Sequence, residues 1–208
     1  MVIERESPLI LASRSPRRRD LLEQVGIPVE LRPVEIPEVV RAGESAMSYL
    51  DRIVGEKLHA AVAHIESGRV VLVADTEVVL DAAILGKPTD REHSKRMVKL
   101  LSGRSHDVMT RFAIAETGRN ESFAETVTTR VLFRSLSDEE IVSYADSGEG
   151  DDKAGAYAIQ GLGAFAITRI EGSYSNVVGL PVAEVVSALL RLGHLARFPL
   201  SRKPAAGA

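Results

Sequence analysis

Two hydrophobic periods alternate along the chain, and each marks a different kind of element. The continuous apolar run Leu9-Ile10-Leu11-Ala12 breaks at Ser13-Arg14-Ser15, and apolar positions return after Pro16 as Leu21, Leu22 and Val25 at helical spacing. This predicts strand, loop and helix, with Ser15 as the N-cap and Pro16 in the first helical position. Val29 to Pro37 predicts a second strand interrupted by prolines. Ser45 opens a predicted helix to about Ala63 whose buried stripe is Met47, Leu50, Val54, Leu58 and Ala61, with Lys57 off the stripe. Arg69 to Ala74 is a β-branched run of the kind that is buried on both faces of a sheet, and it is expected to stop at Asp75-Thr76.

A hairpin-like stretch from Val78 to Leu85 leads to Gly86-Lys87-Pro88 and a helix from about Asp90 to Leu101. Two long strands follow, His106 to Glu116 and Ser122 to Phe133, joined by the turn Thr117-Gly118-Arg119-Asn120. Ser137 and Glu140 have the spacing of a capping box, which starts a helix ending near Gly148. Glu149 to Gly163 is too rich in glycine and charge to be filler. Ala164 to Ile170 predicts a strand, Gly172 to Pro181 a polar loop, and Val182 to Leu192 a last helix. No repeat or linker divides residues 1–197, which predicts one domain of two lobes. Residues 198–208, with two prolines and small side chains, predict a disordered tail.

Composition narrows the function classes. The 208 residues are 45% hydrophobic and 26% charged, as in soluble globular proteins. A net charge of −3 argues against broad nucleic-acid binding. The absence of cysteine removes disulfides, thiolate zinc sites and cysteine nucleophiles, and fits a reducing compartment. With no signal-peptide pattern and no apolar stretch of the roughly 18–20 residues that span a membrane, a cytoplasmic protein is expected.

The candidate chemistry lies at the breaks in the pattern. Arg14, Arg17, Arg18 and Arg19 crowd the start of the first helix, the wrong end for cations unless an anion or carboxylates compensate them. Phosphate is the simplest such anion, and a solvated arginine patch is the competing reading. Glu38, Lys57, Asp75, Lys87, Asp152, Lys153 and Gln160 each have an ordinary reading as cap, surface charge or loop residue. Together they suit a polyphosphate, with cations for its oxygens, carboxylates for a divalent metal or a water's proton, and an amide to read a base edge. The five histidines show no metal-ligand spacing, and GxxxxGK[ST], GxGxxG and GxSxG patterns are all absent.

The ordered set LASRSPRRRDLL, ADTEVVLD, GKP with LSGRSHDVMT, DKAGAYAIQG and GSYSNVVGLP resembles the Maf family of nucleoside triphosphate pyrophosphatases over roughly Leu9 to Gly193. The resemblance implies an α/β fold of the Maf/inosine-triphosphate-pyrophosphatase type, two-lobed around a long curved mixed sheet with a cleft between the lobes. It also implies a divalent cation (Mg²⁺ or Mn²⁺), a homodimer, and cleavage between the α and β phosphates. By the same resemblance Asp75 is the proton acceptor, and Arg17, Thr76 and Gln160 govern substrate choice. Ser13, Arg18, Lys57 and Lys87 contact phosphate or substrate, and Glu38 with Asp75 would hold the metal. Gln160 places the chain with the members acting on dTTP and UTP rather than 7-methyl-GTP, since an amide offers a donor and an acceptor to the edge of uracil or thymine. A non-enzymatic nucleotide-binding regulator of cell division is the alternative of another class. Arg14 and Glu77 depart from the family pattern, where a small and an apolar residue are frequent.

Overall fold

The computed structural model describes residues 1–200. Its strands are β1 (Leu9–Leu11), β2 (Val29–Leu31), β3 (Val70–Leu80), β4 (Ala83–Ile84), β5 (Ser105–Glu116), β6 (Ser122–Phe133) and β7 (Ile167–Glu171). The helices are α1 (Pro16–Gln24), α2 (Ala46–Val62), α3 (Arg91–Leu101), α4 (Asp138–Ser147), α5 (Tyr174–Val178) and α6 (Val182–Arg191). One mixed sheet runs β2-β1-β3-β5-β6-β7, with β4 paired to β3. The β1 pairings are parallel and all others antiparallel.

The long antiparallel strands explain the two lobes. At about 3.3 Å per residue, eleven to twelve residues reach roughly 36–40 Å, more than one core can cover. Even-numbered side chains of β3 therefore enter two cores in succession. Val70, Leu72 and Ala74 join Leu22, Val185 and Leu189 of α1 and α6, whereas Val78 and Leu80 join Met97, Leu101 and Ile141 of α3 and α4. The odd face, Val71 and Val73, is covered by Val54 and Ala61 of α2. Because β3, β5 and β6 feed both cores, we infer that residues 1–197 act as one domain.

Several expectations change once the strands pair. The third strand does not stop at Asp75, because antiparallel pairing with β5 carries it through Val79↔Asp107. The second strand is confined to Val29–Leu31, the length of its parallel partner β1. Met47 is exposed, and the buried face of α2 is Tyr49, Leu50, Ile53, Val54, Lys57 and Ala61, so Lys57 lies on the stripe. The seventh strand starts at Ile167 after a 3₁₀ turn, and the polar stretch from Gly172 holds α5. Phe198 and Leu200, at the start of the segment expected to be a tail, pack on the α1/α6 core. The remaining residues of that segment, 201–208, lie outside the described residues.

No apolar period announces α5, because polar bonds hold it. Ser173 accepts from the Asn176 amide, and Asn176, fully buried, places its side-chain nitrogen 3.0 Å from Val108 O, 3.3 Å from Val127 O and 3.0 Å from Thr129 Oγ1. Asn176→Ala strands those acceptors and should cost about 1–3 kcal/mol in urea unfolding. A loss below about 0.5 kcal/mol, the scale of a surface substitution, would show that α5 is held by other contacts.

Candidate active site

A gap in strand pairing creates the cleft. The last β1 partner on β3 is Leu72 and the first β4 partner is Val79, so between them that edge of β3 faces no strand. Side chains from both faces of β3 reach the opening: Asp75 and Glu77 from the α2 side, Thr76 and Val78 from the other. A cavity of about 500 Å³ fills the gap, within the range of small-molecule sites. The β1–α1 loop, the segment around Glu38, Lys57, Lys87 and the loop from Asp152 to Gln160 complete its walls. Every residue expected to form the site, namely Ser13, Arg17, Arg18, Glu38, Lys57, Asp75, Thr76, Lys87 and Gln160, lines this one cavity.

The start of α1 is left open. Ser15 has extended cap geometry but its side chain makes no capping bond; its own amide instead donates to Ser13 Oγ at 3.2 Å. No acidic residue sits in the first turn. Arg18 closes the wall behind. Its guanidinium donates to Gly179 O (2.8 Å), Ser13 Oγ (3.1 Å), Ala74 O (2.9 Å) and Thr76 Oγ1 (3.0 Å). All four acceptors are neutral and Arg18 is buried, so desolvation lowers its pKa from the usual arginine value despite the nearby Asp75. Most of its donors are therefore spent within the protein. Arg17 is more open, with Nε 3.3 Å from Val178 O and Nη1 3.6 Å from Asp152. Thr76 Oγ1 also meets Thr110 Oγ1 at 2.9 Å and Gly179 O at 3.2 Å.

On the α2 side, Lys57 is buried and its ammonium joins two carboxylates, Asp75 Oδ1 at 2.7 Å and Glu38 Oε1 at 2.5 Å. Burial raises the Glu38 carboxyl, but the Lys57 hydrogen bond and charge outweigh it and leave its pKa below the usual value. Asp75 Oδ2 is buried with no hydrogen-bond partner. Glu77 is buried as well, its Oε2 likewise unpartnered, and burial followed by the Asp75 charge pushes its pKa up to about 8. Lys87 is exposed at the rim and makes no ion pair among the described residues. Among those residues no three His, Cys, Asp or Glu side chains are grouped closely enough to hold a metal ion alone. A hard divalent cation bound with a nucleotide takes only one or two carboxylates, the rest coming from phosphate and water. The free Asp75 oxygen fits that mode.

The glycine-rich loop is braced rather than slack. Glu149 accepts from the amides of Leu162 and Gly163, both at 2.7 Å, and from Tyr144 Oη at 2.9 Å. Gly155 has a φ of 71° and donates to Gly86 O at 2.8 Å, and a Cβ on Gly150 would stand 2.0 Å from Ala156 O. Tyr157 is buried against His106, with Oη 2.8 Å from Nε2, while Gln160 is exposed at the lip. The bracing roles of Asn176, Glu149 and His106 carry no sequence signal beyond polar residues in or beside the quoted motifs. Only the packing reveals them.

Comparison with known proteins follows the same span. The sequence model for "Maf-like protein" matches residues 8–192. A dTTP/UTP pyrophosphatase of Myxococcus xanthus is 52% identical over 185 residues, covering 89% of this chain and 92% of that protein. A dTTP/UTP pyrophosphatase of Citrifermentans bemidjiense is 47% identical over 191 residues, covering 92% and 98% respectively. The Staphylococcus aureus Ham1 protein superimposes with a TM-score of 0.52 at 10% identity, covering 90% of this chain and all of that one, which is a likeness of fold.

Two measurements test this geometry. Arg18→Lys keeps a charge but cannot reach three segments from one planar fork, and should lose about 2–4 kcal/mol in urea unfolding. An unchanged midpoint would show that the clamp is idle. Burial also lowers the His106 pKa to about 4, against an ordinary value of 6.5. The unfolded chain binds this proton below pH 6.5 and the folded one does not, so stability falls as pH drops from about 6.5 to 4, by up to about 3 kcal/mol. His106→Phe should remove that component when melts of both proteins are compared across the window; parallel pH profiles would contradict it.

Proposed function

The chain belongs to the Maf-like protein family, and we infer that it is a nucleoside triphosphate pyrophosphatase that hydrolyses dTTP and UTP to the monophosphate and pyrophosphate. Relatives of that name align over nearly their whole length. The observation that carries the mechanism is the unpartnered oxygen of Asp75 in a cavity whose other polar groups are mostly engaged.

Asp75 Oδ2, an oxygen with two lone pairs, is the proton acceptor for the water that attacks the α phosphorus and keeps one pair for a cation. Lys57 holds the other oxygen and so fixes the carboxylate's orientation. Arg17 and Lys87, at the more open positions, bind the departing pyrophosphate, where guanidinium and ammonium donors meet charge as it develops. Arg18 adds its positive charge from within the wall and keeps Ser13 and Thr76 in place. Ser13 shapes the phosphate loop through its bond to the Ser15 amide. A divalent cation, Mg²⁺ or Mn²⁺, would neutralise the phosphates when bound, with Asp75 and Glu38 as its expected holders. Glu38 is the poorer holder of the two, since one of its oxygens is tied to Lys57. Gln160, free at the lip, reads the O4 and N3–H edge of the pyrimidine. Thr76 acts in substrate choice through the shape of the wall, because its hydroxyl is engaged. The family resemblance supports a homodimer in the cytoplasm, and no helix among the described residues is long and apolar enough to cross a membrane.

Pyrophosphate release from dTTP, UTP, CTP, 7-methyl-GTP and the purine triphosphates, with Mg²⁺ or Mn²⁺, tests the reading. Turnover of dTTP and UTP is expected, and Asp75→Asn should cut it by about a hundredfold or more with the fold intact. Gln160→Glu leaves acceptors only and should lower kcat/KM for dTTP by roughly tenfold or more. Activity confined to 7-methyl-GTP would overturn the role of Gln160, and a near-wild-type Asp75→Asn would overturn that of Asp75.

A further inference from the structure

Glu77 stands where an apolar residue would be the simpler choice. It follows Asp75 by two positions on β3, so both carboxylates emerge from the same face of the strand and line the same cavity. Its surroundings on that side are apolar: Met109 is its partner across the ladder, and Tyr49, Leu50 and Ile53 of α2 pack with Met109 and Ile84. Relative exposure is 7% for Asp75 and 8% for Glu77, and each keeps one oxygen, Oδ2 and Oε2, buried without a hydrogen-bond partner. Leaving two carboxylate oxygens unpaired in one wall costs stability unless a cation is to join them. Lys57 does not serve, since its ammonium is engaged by Asp75 Oδ1 and Glu38 Oε1, and among the described residues no cation lies within 4.0 Å of Glu77. Glu38, half-exposed at its rim and tied to Lys57, is the weaker partner for Asp75.

We propose that Glu77, with Asp75, forms the protein half of a divalent-cation site that substrate phosphate completes, Lys57 being the fixed counter-charge that keeps Glu38 and the far side of Asp75 out of it. The inference rests on the nucleotide reading above. Two carboxylates and no third ligand predict weak binding of the ion alone and much tighter binding when a triphosphate supplies the remaining oxygens.

The test is Mn²⁺ binding followed by electron paramagnetic resonance of the free ion, with and without a dUTP analogue bearing an α,β-imido bridge. In the wild type the analogue should tighten Mn²⁺ binding, and Glu77→Gln, of nearly equal volume, should weaken the ternary complex by at least about tenfold. Analogue affinity without metal should be no weaker than wild type. Equal Mn²⁺ affinity in Glu77→Gln and wild type would overturn the site, as would the loss falling on Glu38→Gln instead. Crystals of the wild type soaked with MnCl₂ and the analogue give a readout independent of any variant's folding: anomalous density between Asp75 and Glu77 supports the site, and density elsewhere overturns it. Hydrolysis of dTTP is scored separately. An inactive wild type that binds Mn²⁺ through Glu77 would sink the function and keep the site, whereas an active one indifferent to Glu77→Gln in Mn²⁺ binding would do the reverse.

Discussion

The molecule depends on an interruption in strand pairing. Along one edge of β3, β1 stops at Leu72 and β4 starts at Val79, and the backbone between them has no strand beside it. Unpaired main-chain groups are costly when buried, so the gap must be furnished. Part of the answer is local: the Arg18 guanidinium takes the Ala74 carbonyl. The rest is left as cavity. Because a strand points successive side chains to opposite faces, an open edge lets both faces reach the same space. Asp75 and Thr76, neighbours in sequence that would be separated by an intact sheet, thereby line one site.

The cations around this opening are held in different ways, and the difference divides their work. Arg18 is buried on neutral acceptors, so its charge is not cancelled by any carboxylate hydrogen-bonded to it. Lys57 is buried on two carboxylates, and its charge is spent there. The first arrangement sustains a positive field toward the cavity, the second orients the Asp75 carboxylate. A buried cation without a bonded counter-charge is expensive, which fits a wall built against an anion. Arg17 and Lys87 keep more freedom at the rim.

Rigidity elsewhere serves the same opening. Glu149 ties the glycine-rich loop to α4 through Tyr144 and to its own far end through Leu162 and Gly163. Tyr157 is fixed against His106 and Phe133, with ring centroids 5.3 and 4.8 Å away. Asn176 joins α5 to β5 and β6, and the turn after α5 delivers the Gly179 carbonyl to Arg18. Polar groups far apart in the chain thus set the walls, while the two apolar cores hold the sheet that carries them.

The sequence by itself determined most of the elements. Periodicity located α2, α3, α4 and α6, the long β5–β6 hairpin and the capping box at Ser137, because local propensity and a buried face agree in those segments. The ordered motifs also named the residues that line the cavity and the family they resemble. Tertiary structure decided what neighbours impose. β3 runs on through Asp75 because β5 continues to pair with it, β2 is cut to the length of β1, and Lys57 turns inward because two carboxylates receive it. Helix α5 is placed by Asn176, whose bonds to β5 and β6 are made only in the folded molecule. The hydrogen-bond partners of the Arg18 guanidinium lie on segments as much as 161 residues away, and no pattern of spacing in the chain encodes which donors a folded neighbour will have already used.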